Sequence, residues 1–113
     1  MVDRYIPDRG DLVWLNFDPS TGREQQGRRP AIVLSRLVYN RASDLAIMVP
    51  ITSKRKGYPF EVPLPPDLSV QGVILCDQIK SFDWKNRNIA FIGSIPDETL
   101  RHIRLKLESL CFE

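Results

Sequence analysis

Arg29-Pro30-Ala31-Ile32-Val33-Leu34-Ser35 decides the fold. Residues 31–34 are all apolar and two of them are β-branched, with a proline before them and a serine after. A run so short and unalternating is better explained by a central strand buried on both faces than by a helix, because it is short and rich in β-branched residues. Val73-Ile74-Leu75 has the same character. Outward from these two, residues 11–17, 45–51, 60–64, 73–79 and 89–93 form further short segments rich in β-branched and aromatic residues. Gly, Pro, Asp and Ser clusters separate them. Within 60–64, Phe60, Val62 and Leu64 alternate with Glu61 and Pro63, the pattern of a half-buried strand near a sheet edge. The period changes only at the end of the chain. Leu100, Ile103, Leu107 and Leu110 recur three or four residues apart among charged neighbours, which predicts an amphipathic helix. Pro96, Asp97 and Glu98 suit its first turn, where a missing N–H costs little and acidic groups favour the positive end of the dipole. The fold expected is mainly β, a small and strongly curved antiparallel sheet or barrel with a C-terminal α-helix.

At 113 residues the chain is expected to form one domain spanning 1–113, able to bury a core without disulfide or metal. Two cysteines and a single histidine provide no Cys/His zinc set. The first eight residues are too charged for a signal-peptide core. The longest apolar stretch, 45–51, is interrupted by Pro50 and too short to span a bilayer. A cytoplasmic location and no membrane partner are therefore expected.

The net charge is only +2, yet it is unevenly spread. Residues 1–58 hold ten Lys/Arg and six Asp/Glu, whereas residues 59–113 hold six and eight. The basic excess gathers in two connections. Residues 18–29 place twelve mostly polar residues between two strands, longer than a hairpin needs. Residues 52–59, Thr-Ser-Lys-Arg-Lys-Gly-Tyr-Pro, combine hydroxyls, three cations and an aromatic ring. Cations for a phosphate chain and a ring on which a base stacks are what single-stranded nucleic acid binding requires. The competing reading is a soluble charged surface with Tyr58 covering a sheet edge.

Cleaving RNA without metal needs a base for the 2′-hydroxyl, positive charge for the phosphorane oxygens and an acid for the departing 5′-oxygen. A histidine pair is impossible, because His102 stands alone on the terminal helix. Glu24 is a candidate base, Arg29 a candidate guanidinium fork and Thr52 a hydroxyl at a strand end. Such a trio is common enough that a surface Glu24–Arg29 ion pair explains two of its members equally well. Metal-assisted hydrolysis finds little support in Asp11, Asp18 and Asp77, which form no close pair of acids in sequence. A serine or cysteine nucleophile lacks both a Gly-x-Ser-x-Gly turn and any base other than His102.

The order of the segments narrows these choices. Gly10-Asp11-Leu12-Val13-Trp14, Asn16-Phe17-Asp18-Pro19 and Gly22-Arg23-Glu24-Gln25-Gln26-Gly27-Arg28-Arg29-Pro30 lead to Val33-Leu34-Ser35. Val49-Pro50-Ile51-Thr52, Lys56-Gly57-Tyr58-Pro59-Phe60-Glu61-Val62, Gly72-Val73 and Asp77-Gln78-Ile79-Lys80-Ser81 follow. This set resembles the MazF/PemK family of toxin–antitoxin endoribonucleases over nearly the whole chain. The resemblance implies a small Src-homology-3-like curved β-barrel of the CcdB/MazF/PemK type that dimerises and cuts single-stranded mRNA at short sequences, with no metal or cofactor, arresting translation. It implies Arg29 and Thr52 as the catalytic pair, with Glu24 also linked to activity. It puts Lys56, Tyr58 and Gln78 at motif positions that line the RNA groove, and Arg28, Asn40, Lys54 and Arg55 are further candidate RNA-binding residues. The usual antagonist in such systems is a short acidic antitoxin of the MazE type. The rival from another class is a non-enzymatic toxin of the same fold that poisons a protein such as gyrase. Relatives of that kind lack the Arg-Pro and Val-Pro-x-Thr motifs and depend on a C-terminal tryptophan that Leu110-Cys111-Phe112-Glu113 does not provide.

Overall fold

Residues 31–33 form the inner half of strand β2 (Arg28–Val33), which lies antiparallel between β1 (Asp11–Asn16) and β3 (Ala46–Thr52). The computed structural model describes residues 4–18, 22 and 25–112. Ala31 and Val33 face one core with Val13, Leu15, Met48 and Phe82, while Ile32 faces the other with Leu12, Val49, Ile51 and Ile74. The unbroken apolar run thus serves two cores at once, each fully buried aliphatic side chain contributing roughly 1.5–3 kcal/mol.

β3 organises the rest of the sheet. Its first half pairs with β6 (Lys80–Phe82) through Ala46↔Phe82 and Met48↔Lys80. Its second half pairs on β5 (Val73–Leu75) through Ile51↔Ile74 and Thr52↔Val73. Pro50 stands where the strand changes partner, a place where a proline's missing N–H is tolerated inside a sheet. The two partners are separated by a 3₁₀ turn at Cys76–Gln78, so the segment expected as one strand over 73–79 is broken. β4 (Glu61–Pro63) pairs outside β5 and β7 (Ala90–Ser94) outside β1, giving the order β4-β5-β3-β2-β1-β7 with β6 off the path. β4 and β7 do not pair with one another, so the sheet is curled but open and the expected barrel does not close.

α2 (Asp97–Cys111) follows Pro96 with Asp97 and Glu98 in its first turn, as the sequence predicts. Ile103 is buried in the first core and Leu100 and Leu107 pack against it, but Leu110 is 50% exposed, so the buried stripe ends a turn early. α1 (Leu37–Ser43) was not expected. It has no apolar stripe to betray it: Asn40 is its only buried residue and Val38 is 71% exposed. No helix among the described residues is long and apolar enough to cross a membrane.

Candidate RNA-cleaving cleft

β2 and β3 deliver Arg29 and Thr52 to one open cleft of about 910 Å³. Lys54, Lys56, Tyr58 and Phe60 line it from the connection after β3, and Gln25, Asp77 and Gln78 from elsewhere in the sequence. A smaller recess of about 200 Å³ shares Gln25, Asp77 and Gln78 and is otherwise walled by residues including Phe17, Pro50, Ile79 and Phe82.

Thr52 is only 6% exposed, and its Oγ1 accepts the Lys54 backbone N–H at 3.2 Å, a local turn that fixes the hydroxyl at the strand end. Its backbone is approached closely by Gly72, where a Cβ would stand 2.3 Å from the Thr52 carbonyl oxygen and where φ is +138°. Only glycine fits there, for both reasons. Arg29 donates from Nε to the Gln26 carbonyl at 2.6 Å, which uses one N–H of the guanidinium and sets the plane of the others.

The second connection is shaped by Glu61. Its carboxylate accepts the backbone N–H groups of Lys56 at 3.2 Å and Gly57 at 3.0 Å, and its own N–H donates to the Tyr58 carbonyl at 3.1 Å. The turn so held presents Tyr58 stacked on Phe60, with centroids 5.2 Å apart and planes 29° apart. Lys54, Arg55 and Lys56 are exposed and have no side-chain partner among the described residues. Arg55 does not line the cleft. Partial desolvation raises the Asp77 carboxyl above its ordinary value, and the charge of Glu61 adds to that rise. Gln78 accepts the Gln25 backbone N–H on Oε1 at 3.2 Å, tying the first connection to the turn after β5.

Two of the expected RNA-binding positions, Asn40 and Arg28, are placed differently. Asn40 is fully buried, not at an RNA surface: its Nδ2 donates to the Pro7 and Ser35 carbonyls at 2.8 and 3.0 Å, and its own carbonyl accepts the Trp84 indole N–H at 3.2 Å. Its amide and backbone carbonyl are occupied in joining the N-terminal segment, α1 and the turn at Trp84. Arg28 donates to the Asn88 carbonyl at 2.6 Å and does not line the cleft, since neighbouring strand residues point to opposite faces. Glu24 lies outside the described residues. His102 is an exposed helical residue whose Nε2 is 3.9 Å from Glu98. Among the described residues no three His, Cys, Asp or Glu side chains gather where they could hold a metal ion. The sequence reading missed the roles of Glu61 and Gly72. Both lay inside quoted motifs, and Gly72 directly before a buried strand was the available signal for a close backbone approach.

The model of PemK-like, MazF-like toxins of type II toxin–antitoxin systems matches residues 8–111. The chain is 46% identical over 110 residues to the endoribonuclease toxin MazF of Escherichia coli K12, covering 97% of this chain and 98% of the relative. It is 36% identical over 117 residues to the endoribonuclease toxin ChpB of the same strain, covering 97% and 98%. Its structure superposes on the crystal structure of MazF from Deinococcus radiodurans with a TM-score of 0.92 at 50% identity, over 95% of this chain and 97% of that one. A MazE–MazF crystal structure from the same organism matches with a TM-score of 0.86 at 46% identity, over 96% and 98%.

Proposed function

Since the chain belongs to the PemK/MazF family of type II toxin–antitoxin toxins and is an endoribonuclease, we propose that it cuts single-stranded mRNA at short sequences by attack of the substrate's own 2′-hydroxyl, with no metal or cofactor. The observation that carries this is the delivery of Arg29 and Thr52, from two different strands, into one cleft beside exposed cations and a stacked aromatic pair. In the proposed step the 2′-oxygen gives its proton to a base and forms a bond to phosphorus. The bond from phosphorus to the 5′-oxygen breaks, and that oxygen takes a proton from an acid. The products are a 2′,3′-cyclic phosphate and a 5′-hydroxyl. Arg29 stabilises the crowded phosphorane with two parallel donors, Thr52 bonds a phosphate oxygen, and Glu24 is the candidate base. Lys54 and Lys56 hold the phosphate chain, Tyr58 stacks a base, and Gln78 keeps the first connection against the groove. Arg55 adds charge at the edge.

We infer its setting as well. One domain spans 1–113, two copies pair, and the toxin acts in the cytoplasm without a membrane partner. An acidic MazE-type antitoxin segment occupies the same cleft, its carboxylates imitating the RNA backbone. The crystal structures of relatives as MazE–MazF complexes support an antitoxin partner. The gyrase-poison rival has no support among relatives named as endoribonucleases.

The test is incubation with mixed-sequence single-stranded RNA in EDTA, followed by mapping of cut sites and new ends. Cyclic phosphate ends are expected, and 2′-deoxyribose at the cut site should abolish cleavage. Undiminished cutting of the deoxy substrate, or strict dependence on a divalent ion, refutes the mechanism.

A further inference from the structure

The turn between β6 and β7 contributes nothing to the cleft, yet one of its side chains grips the base of the connection that leads into β2 and Arg29. Arg87 has a side chain only 18% exposed, and its Nε donates to Asp83 Oδ1 at 2.5 Å. Its Nη1 donates to the Asn16 carbonyl at 3.2 Å and the Asp18 carbonyl at 3.3 Å. The guanidinium lies 5.1 Å from the centre of the Phe82 ring, and the Arg87 carbonyl accepts the Asn16 N–H at 2.9 Å. Arg87 therefore holds the point where β1 ends from three directions.

From there a short chain of bonds leads to the site. Asp18 Oδ1 accepts the Gly27 N–H at 3.0 Å, and the Gly27 carbonyl accepts the Phe17 N–H at 2.9 Å, which closes the base of the connection. The residue before Gly27 is Gln26, whose carbonyl holds Arg29 Nε at 2.6 Å. We propose that Arg87, oriented by Asp83, is a positioning residue for RNA cleavage, fixing the base of the 18–27 connection and through it the plane of the Arg29 guanidinium. This rests on the cleavage reading above. A planar fork is needed because one side chain must meet a carboxylate and two carbonyls together, which an ammonium on a flexible stem does not reproduce. Misplacing a reacting group by about 1 Å costs on the order of 100-fold in rate.

The experiment compares wild type with Arg87→Lys, Arg87→Ala and Asp83→Asn in steady-state cleavage of a single-stranded RNA. Kd is measured for the same RNA carrying 2′-deoxyribose at the cut site, and folded fraction by thermal unfolding. Both Arg87 variants should lose roughly 10–100-fold in kcat per folded molecule, with KM and Kd moved less than about 2-fold, because the cations that bind RNA are untouched. Asp83→Asn should fall between them and wild type. Amide hydrogen exchange gives a readout independent of activity: Gly27 should lose protection in the variants while Ile32, in the core of β2, keeps it. An unchanged kcat per folded molecule, a loss confined to KM, or a Gly27 amide as protected as in wild type overturns the proposal. If Arg87→Ala does not fold, the lysine and Asp83→Asn variants decide by the same criteria. A wild type that fails to cut RNA refutes the cleavage reading itself, whereas a cutting wild type with unaffected variants refutes only the positioning role.

Discussion

The arginines of β2 and the basic residues after β3 carry the same charge and are held in opposite ways. Arg28 and Arg29 sit on a strand, and each guanidinium is tied to a backbone carbonyl, of Asn88 and Gln26 respectively. Lys54, Arg55 and Lys56 sit on a turn whose backbone is fixed by Glu61 and the Thr52 hydroxyl, but their side chains stand in solvent. A tethered guanidinium has already lost much of its rotamer freedom and presents donors in a set plane, which suits charge that develops at one place in a reaction. An untethered ammonium attracts a phosphate chain over a range of positions, which suits capture. Formal charge does not separate the two groups; tethering does.

The largest effect expected from that difference is at Arg29. Arg29→Lys keeps the charge and loses the fork, so kcat should fall by roughly two to three orders of magnitude while RNA affinity changes little. A lysine variant with near wild-type turnover would place Arg29 with the binding group and break the distinction. Gly72→Ala tests the other half of the catalytic pair. Its Cβ meets the Thr52 carbonyl at 2.3 Å, so a loss of about 1–3 kcal/mol in stability and a lower kcat are expected in unfolding and cleavage assays.

On the capture side, Tyr58→Ala should weaken RNA binding by roughly 1–3 kcal/mol, the usual worth of one base stacked on a ring, with kcat at saturation nearly unchanged. The double change Lys54→Ala with Lys56→Ala should raise KM and reduce the slope of log Kd against log salt by about 1.4, near 0.7 for each phosphate contact on a single strand. Lys54→Glu should slow association with both RNA and an acidic antitoxin segment, and saturating RNA should compete with that segment. Failure to compete would separate the two binding sites.

The smallest effect is in pH dependence. The Arg87 hydrogen bond holds the Asp83 carboxyl below its ordinary value of 3.8. A depressed folded pKa contributes stability that is present above the unfolded value and lost as pH falls through the folded one. Arg87→Ala should therefore make the acid side of the unfolding profile, below about pH 4, less steep. Removing Lys54 should leave that profile alone.

The sequence made the strands legible where composition and position agreed. Residues 31–34 and 73–75 read as doubly buried, and 31–33 and 73–75 are so, while Leu34 lies past the end of β2 and is only partly buried; the edge strand at Glu61–Pro63 showed in its alternation. α1 was invisible because a seven-residue helix with one buried side chain leaves no periodic trace, and the break at Cys76 was hidden inside an apolar run. Arg29, Thr52, Lys54, Lys56, Tyr58 and Gln78 were named from chemistry and motif, and all line the cleft. Asn40 was misassigned because an amide looks the same in sequence whether it faces RNA or satisfies buried carbonyls. Only its burial distinguishes the two.

Sequence alone determined the β-rich class, the terminal helix, the basic connections and the residue types able to hold and cleave a phosphodiester, because these depend on local period and side-chain chemistry. The tertiary structure decided that the sheet stays open, that Arg28 and Arg29 part company, that Gly72 must be small and that Arg87, held by Asp83, grips the base of the connection leading into β2. The strand order, the Arg28–Asn88 bond, the Gly72–Thr52 approach and the Arg87 bonds to Asn16 and Asp18 join residues far apart in the chain, and such pairings exist only once β3 has paired with β2, β5 and β6 and the ends of β1 and β2 lie against the turn before β7.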